Sequence, residues 1–128
     1  MKIDHIAIWV KNLEEMKLFY EKYFGMKSGE KYTNAAKGYS SYFLSFNCGA
    51  RIELMHRNDI TNFPEKAQVF FGFAHLAIQV GGKEIVSSLT KRLELDGYKV
   101  VSQPRTTGDG YFESVVEDTE GNLIEICA

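Results

Sequence analysis

His5-Ile-Ala-Ile recurs as His75-Leu-Ala-Ile 70 residues later, and Arg51-Ile-Glu53-Leu recurs as Leu123-Ile-Glu125-Ile 72 residues later. Gly25 aligns with Gly97 and Gly49 with Gly121, again 72 apart. The chain reads as one half-domain written twice. Each copy carries one His and one Glu at matching positions, so the repeat constrains fold, site and chemistry together.

The pattern of each copy can be followed residue by residue. Lys2 to Val10 has strand character. Asn12 is placed to cap a helix, with Glu14 and Glu15 in its first turn. Leu13, Met16, Leu18 to Tyr20, Tyr23 and Phe24 give that helix a broad apolar face, and Gly25 stops it. Strand-like pieces follow at about 28–34, 39–46 and 50–57, the last two joined by the turn Asn47-Cys48-Gly49. The second copy repeats the order: strand Phe73 to Val80, a break at Gly81-Gly82, and a helix over 83–95. Ile85, Val86, Leu89, Leu93 and Leu95 are its expected apolar set, with a stop at Asp96-Gly97. Strands are expected at 98–103, 111–118 and 122–127. The expected architecture is α+β: βαβββ modules over 1–57 and 73–128, joined by a connector over 58–72. Together they are expected to form one compact domain, a curved mixed sheet around a metal-containing cavity.

Composition narrows the function classes. With 15 Lys+Arg against 17 Asp+Glu and no basic stripe, the electrostatic basis for nucleic-acid binding is weak. The apolar runs fall far below the roughly 20 residues a membrane span needs, and no signal-peptide pattern opens the chain. The expectation is a cytoplasmic protein without nucleic-acid or membrane partners. Cys48 and Cys127 do not align in the repeat and form no CxxC pair, so both read as reduced core or turn residues.

Strand parity selects the side chains that share a face. Ile6, Ile8 and Val10 point toward the helix, leaving His5, Ala7 and Trp9 on the other face. Ile52 and Leu54 alternate in the same way with Arg51, Glu53 and Met55. The second copy offers His75, Ala77 and Gln79, then Leu123, Glu125 and Cys127. His56, the third histidine, falls on the face opposite Glu53. Two imidazoles and two carboxylates suit a divalent transition metal. Such a site can polarise a carbonyl and stabilise an enediolate, and a carboxylate ligand can also act as a base. Other readings stay open: Glu53 as a solvated partner of Arg51, and a duplicated ancestor that kept all four residues without metal.

Taken together, Asp4-His5-Ile-Ala-Ile, Leu18-Phe-Tyr-Glu-Lys-Tyr-Phe-Gly25, Gly49-Ala-Arg-Ile-Glu53-Leu, His75-Leu-Ala-Ile and Val116-Glu-Asp-Thr-Glu-Gly-Asn-Leu-Ile-Glu125 resemble the vicinal oxygen chelate superfamily along essentially the whole chain. That superfamily holds glyoxalase I, methylmalonyl-CoA epimerase, extradiol dioxygenases, and fosfomycin- and bleomycin-resistance proteins. The ligand order His, Glu, His, Glu is most similar to glyoxalase I and falls on His5, Glu53, His75 and Glu125. The resemblance implies one divalent metal per site, nickel or zinc, and isomerisation of a hemithioacetal to a thioester. It also implies a homodimer, with His5 and Glu53 from one chain and His75 and Glu125 from the other. Glu125 would be the base and Glu53 the opposing proton carrier.

The substrate residues depart from the bacterial glyoxalase I pattern. Trp9 stands where that family carries an Arg for the glutathione carboxylate, and Arg57 where it carries an Asn. The segment Pro104 to Gly110, read as the loop before strand 111–118, has Arg105 as its only cation in place of a Lys. The expected small-molecule pocket is therefore lined by Trp9, Arg51, Met55, Gln79, Arg57 and Arg105. Phe63, Phe70 and Phe71 in the connector are candidates for a lid or for docking the linker. Two alternatives accompany the glyoxalase reading. One is another reaction of the superfamily (epimerase, dioxygenase or thiol transfer to an antibiotic) on a substrate without glutathione. The other is a metal-free protein that sequesters a hydrophobic drug.

Overall fold

A computed structural model describes residues 3–60, 72–108 and 110–128. The chain divides into two compact units, Met1–Pro64 and Glu65–Ala128. The first contains β1 (His5–Trp9), α1 (Leu13–Phe24), β2 (Lys27–Ser28), β3 (Tyr32–Asn34), β4 (Tyr39–Ser45) and β5 (Arg51–Arg57). The second contains β6 (Leu76–Gln79), α2 (Lys83–Leu95), β7 (Val100–Thr106), β8 (Phe112–Glu117) and β9 (Leu123–Cys127). Each unit builds its own mixed sheet, in the order β1-β5-β4-β2 with β3 also on β4, and β6-β9-β8-β7. The α+β class and the paired βαβββ modules are as the repeat predicts. Phe63, Phe70 and Phe71 lie outside the described residues.

Both helices begin and end as their sequences dictate. The Asn12 side chain accepts from the Glu15 N–H at 3.1 Å, and Gly25 takes the left-handed conformation, φ 65°, that ends α1. Leu13, Met16, Phe19, Tyr20 and Tyr23 bury the helix against its sheet, while Leu18, expected on the apolar face, is exposed. The buried stripe of α2 is also narrower than its apolar residues suggest. Val86, Thr90 and Leu93 are buried, whereas Ile85 lies one step round the helix and Leu95 on its far side, both exposed. Thr90 satisfies its hydroxyl by donating to the Val86 carbonyl at 2.7 Å, and lies 2.6 Å from Ser114 Oγ. A polar pair thus completes the helix–sheet contact beside the aliphatic residues of the stripe.

Two strands differ from expectation. The piece at 28–34 is split into β2 and β3, because pairing with β4 lapses at Glu30 and Lys31, after a last bond from the Gly29 N–H to the Phe43 carbonyl at 2.9 Å. The strand expected at 98–103 instead runs from Val100 to Thr106, taking in Pro104. Proline lacks the N–H for a ladder bond, but β7 is an edge strand paired only with β8, and its register shifts on either side of Ser102. Arg105 is consequently a strand residue, not a loop residue. Among the described residues no helix is long and apolar enough to cross a membrane.

The turn into β9 is held by Asp118, a buried carboxylate. Its Oδ1 accepts from the N–H groups of Glu120 and Asn122, both at 2.9 Å, and its Oδ2 from Asn122 Nδ2 at 2.8 Å. Burial pushes the Asp118 carboxyl above its ordinary 3.8, against the pull of these bonds. A carboxyl raised on folding binds its proton more tightly in the folded chain. Its linkage to stability is therefore favourable below 3.8 and is lost as pH rises from 3.8 through the raised value. Asp118→Ala, which deletes these acceptors, is expected to cost about 1–3 kcal/mol in a urea titration. Asp118→Asn is expected to keep the two backbone bonds and to flatten the loss of stability above pH 3.8.

Candidate metal centre

The parallel pairing of β1 with β5 sets Ala7 opposite Glu53, and that of β6 with β9 sets Ala77 opposite Glu125. On the other side, β4 puts Phe43 opposite Glu53 and β8 puts Val115 opposite Glu125. Each Glu therefore lies on an interior strand, flanked by an alanine and one larger apolar residue. Ile52, Leu54, Ile124 and Ile126 are committed to the core, so alternation forces Glu53 and Glu125 onto the opposite face. His5 and His75 stand two residues before the alanines, on the same side.

The two copies make the same contact. His5 Nε2 lies 3.7 Å from Glu53 Oε2, and His75 Nε2 lies 3.3 Å from Glu125 Oε2. The carboxylates are largely covered, 14% and 17% exposed, and the imidazoles are more open at 38% and 43%. These separations exceed a good N–H···O bond. They lie near the roughly 3.0–3.4 Å that separates two ligands held about 2.1 Å from one ion at right or tetrahedral angles.

The hydrogen bonding of His5 suits a ligand role. Asp4 Oδ2 lies 2.9 Å from His5 Nδ1. The bonds from His5 and Arg51 lower the Asp4 carboxyl to about 2, so it is an ionised acceptor and the imidazole is the donor. In the neutral ring the lone pair is then on Nε2, the nitrogen facing Glu53. Two electron-pair donors facing each other across one gap suit a shared cation. Among the described residues no three of His, Cys, Asp or Glu cluster around a single point, so the expected ligands occur as two pairs.

The remaining site residues are tied into the two faces. Arg51 bonds Asp4 and stacks 4.4 Å from the Phe43 ring centroid, so its ion-pair partner is Asp4 and not Glu53. Trp9 is half-buried, edge-on to Tyr39 with centroids 6.2 Å apart, and the Arg57 guanidinium lies 5.3 Å from its centroid. Arg57 also bonds Asp59. Met55 is half-buried beside Trp9 in the ladder. In the second unit Gln79 Nε2 donates to the Ala128 carbonyl at 3.3 Å, and Arg105 Nε donates to Ser102 Oγ at 3.1 Å. His56 Nδ1 sits 3.0 Å from the Val10 carbonyl, away from Glu53, as parity requires. Burial, with Glu125 and Glu113 nearby, pushes the Cys127 thiol up and keeps it protonated.

Residues 2–126 match the Glyoxalase/Bleomycin resistance protein/Dioxygenase superfamily. The chain belongs to that superfamily. Among similar superfamily-sized proteins, YwbC and YqjT of Bacillus subtilis, both uncharacterised, are each 25% identical. The alignments cover 97% and 98% of this chain and 94% and 98% of theirs. Glyoxalase I from Zea mays superposes with a TM-score of 0.79 at 23% identity over 98% of this chain, which spans only 44% of the maize protein. The trypanothione-dependent glyoxalase I of Leishmania major gives 0.79 at 22% identity, covering 99% of this chain and 86% of that one. At these identities the structural likenesses speak for the superfamily fold.

One residue of this site was missed in the sequence. Tyr39, at the start of β4, donates its hydroxyl to Glu53 Oε1 at 3.0 Å. In the ladder it stands opposite Arg57, not Glu53, so only the reach of the phenol along the sheet brings the two together. If the His–Glu pairs serve a ligand and not the core, their removal leaves the fold intact. His5→Ala and Glu53→Gln are each expected to cost under about 1 kcal/mol by urea unfolding and to leave the circular dichroism unchanged. A loss above about 3 kcal/mol would mark the pair as structural.

Proposed function

We propose that the chain is a glyoxalase I-like metalloenzyme, a homodimer that isomerises a hemithioacetal to a thioester. The observation that carries this reading is the matched His–Glu pair in each unit, at 3.7 Å and 3.3 Å, with Nε2 of each imidazole facing the carboxylate. His5, Glu53, His75 and Glu125 would hold one divalent ion, nickel or zinc. When bound, that ion would polarise the substrate oxygens and stabilise the negative charge that follows proton removal.

Glu125 would take the proton from the substrate carbon that bears the sulfur and hydroxyl. Glu53 would accept the hydroxyl proton of that carbon and deliver it to the neighbouring carbonyl carbon, while the proton on Glu125 passes to the former carbonyl oxygen, so both carboxylates are regenerated. Among the described residues the Glu125 carboxylate has His75 as its only ion-pair partner, which leaves a carboxylate oxygen to accept a proton. Glu125→Gln is expected to keep the fold and to lower kcat by at least about 100-fold, checked by steady-state kinetics on samples brought to equal metal content by elemental analysis. Unchanged turnover would remove Glu125 from the base role.

The cationic and aromatic groups favour a thiol other than glutathione. Arg57 is engaged by Trp9 and Asp59, and Arg51 by Asp4 and Phe43. A glutathione carboxylate would have to displace one of these partners. Methylglyoxal offered with glutathione, bacillithiol and simple thiols in parallel is expected to show weak turnover with glutathione. Robust glutathione turnover would overturn this substrate assignment. Failure with every thiol, in protein that holds metal, would favour another reaction of the superfamily.

A further inference from the structure

The two carboxylates occupy equivalent positions in the repeat, but they are not equally held. Tyr39 Oη donates to Glu53 Oε1 at 3.0 Å, and Glu53 Oε2 is the oxygen nearer His5. The phenol is itself fixed, edge-on to Trp9 at 6.2 Å and to Tyr32 at 6.0 Å. Tyr111 lies 72 residues on, at the matching place in the second copy, yet it is exposed and among the described residues makes no bond to Glu125. In the first unit His5 is braced in a similar way, by Asp4 on Nδ1 and by Phe43 edge-on at 5.2 Å. Ala74 and Val115 occupy the corresponding places in the second.

We propose that Tyr39 is a positioning residue that locks Glu53 as a one-oxygen ligand. The first unit then presents a pre-set pair, and the second an adjustable one. A carboxylate whose second oxygen is occupied by a fixed donor has one rotamer and one free oxygen to offer. The ordering cost of binding is reduced at Glu53 and remains at Glu125. The inference rests on the metal reading above and deepens it, by assigning different duties to two residues that the repeat makes look alike.

The test is Co²⁺ binding to the full-length protein, read by calorimetry and by the visible absorption of the bound ion. Tyr39→Phe keeps the ring against Trp9 and Tyr32 and deletes only the donor. It is expected to weaken Co²⁺ binding about 10- to 100-fold and to alter the absorption bands. Tyr111→Phe is expected to bind like wild type. In a Glu53→Gln background, Tyr39→Phe is expected to cause little further loss, because the two residues act as one unit. Equal affinity and equal spectra for wild type and Tyr39→Phe, with metal bound in both, would overturn this inference alone. An equal loss in Tyr111→Phe would also overturn it. Failure of the wild type to take up any divalent ion would overturn the metal reading and this inference with it.

Discussion

Each unit depends on one parallel ladder, the pairing of its first strand with its last. Parallel neighbours cannot be joined by a tight turn, so the chain must cross over through a helix before it returns. That crossover covers one sheet face and makes it apolar. The other face is left to carry chemistry. Once Ile52 and Leu54, or Ile124 and Ile126, are committed to the helix side, the intervening Glu has nowhere else to point. The Ala7–Glu53 and Ala77–Glu125 registers then decide which neighbours it meets. A slip of one residue would bury the carboxylate and expose the isoleucines.

Each Glu has a small residue opposite it in the parallel ladder, so alanine puts only a methyl group beside each carboxylate. His5 and His75, two residues earlier, reach Glu53 and Glu125 diagonally across the same pair of strands. The apolar neighbour on the far side, Phe43 or Val115, keeps the carboxylate partly covered. Partial cover strengthens the carboxylate's electrostatic interactions without the full penalty of burying a charge.

Much of this was legible in the sequence because it rests on short-range regularities. Alternation, glycine stops and the Asn12 cap are local signals, and the repeat checked each against its counterpart. The grouping of His5 with Glu53 and of His75 with Glu125 followed from parity, and the exclusion of His56 followed in the same way. What escaped was set by reach and competition. Arg51 chose Asp4, an adjacent-strand contact that parity does not rank above Glu53. Tyr39 reaches Glu53 along the sheet, past its own ladder partner. The run of β7 through Pro104 depends on its edge position, which a single sequence does not declare. The buried stripe of α2 takes in Thr90, paired with Ser114, and leaves Ile85 and Leu95 outside, which a count of apolar residues could not anticipate.

The spacing of the repeat changes from 70 at the first strands to 72 at the glycines after the helices. The difference falls within the crossover, where α2 has 13 residues and α1 has 12. Two residues have entered or left without disturbing the correspondence between Ala7–Glu53 and Ala77–Glu125. The crossover thus works as slack in the chain, since its length is not counted by any ladder. The paired strands have no such slack, because a residue added inside β5 or β9 ahead of its Glu would step the carboxylate to the other side of the sheet. Drift in chain length is therefore absorbed by the crossover and opposed within the two strands that set the carboxylates.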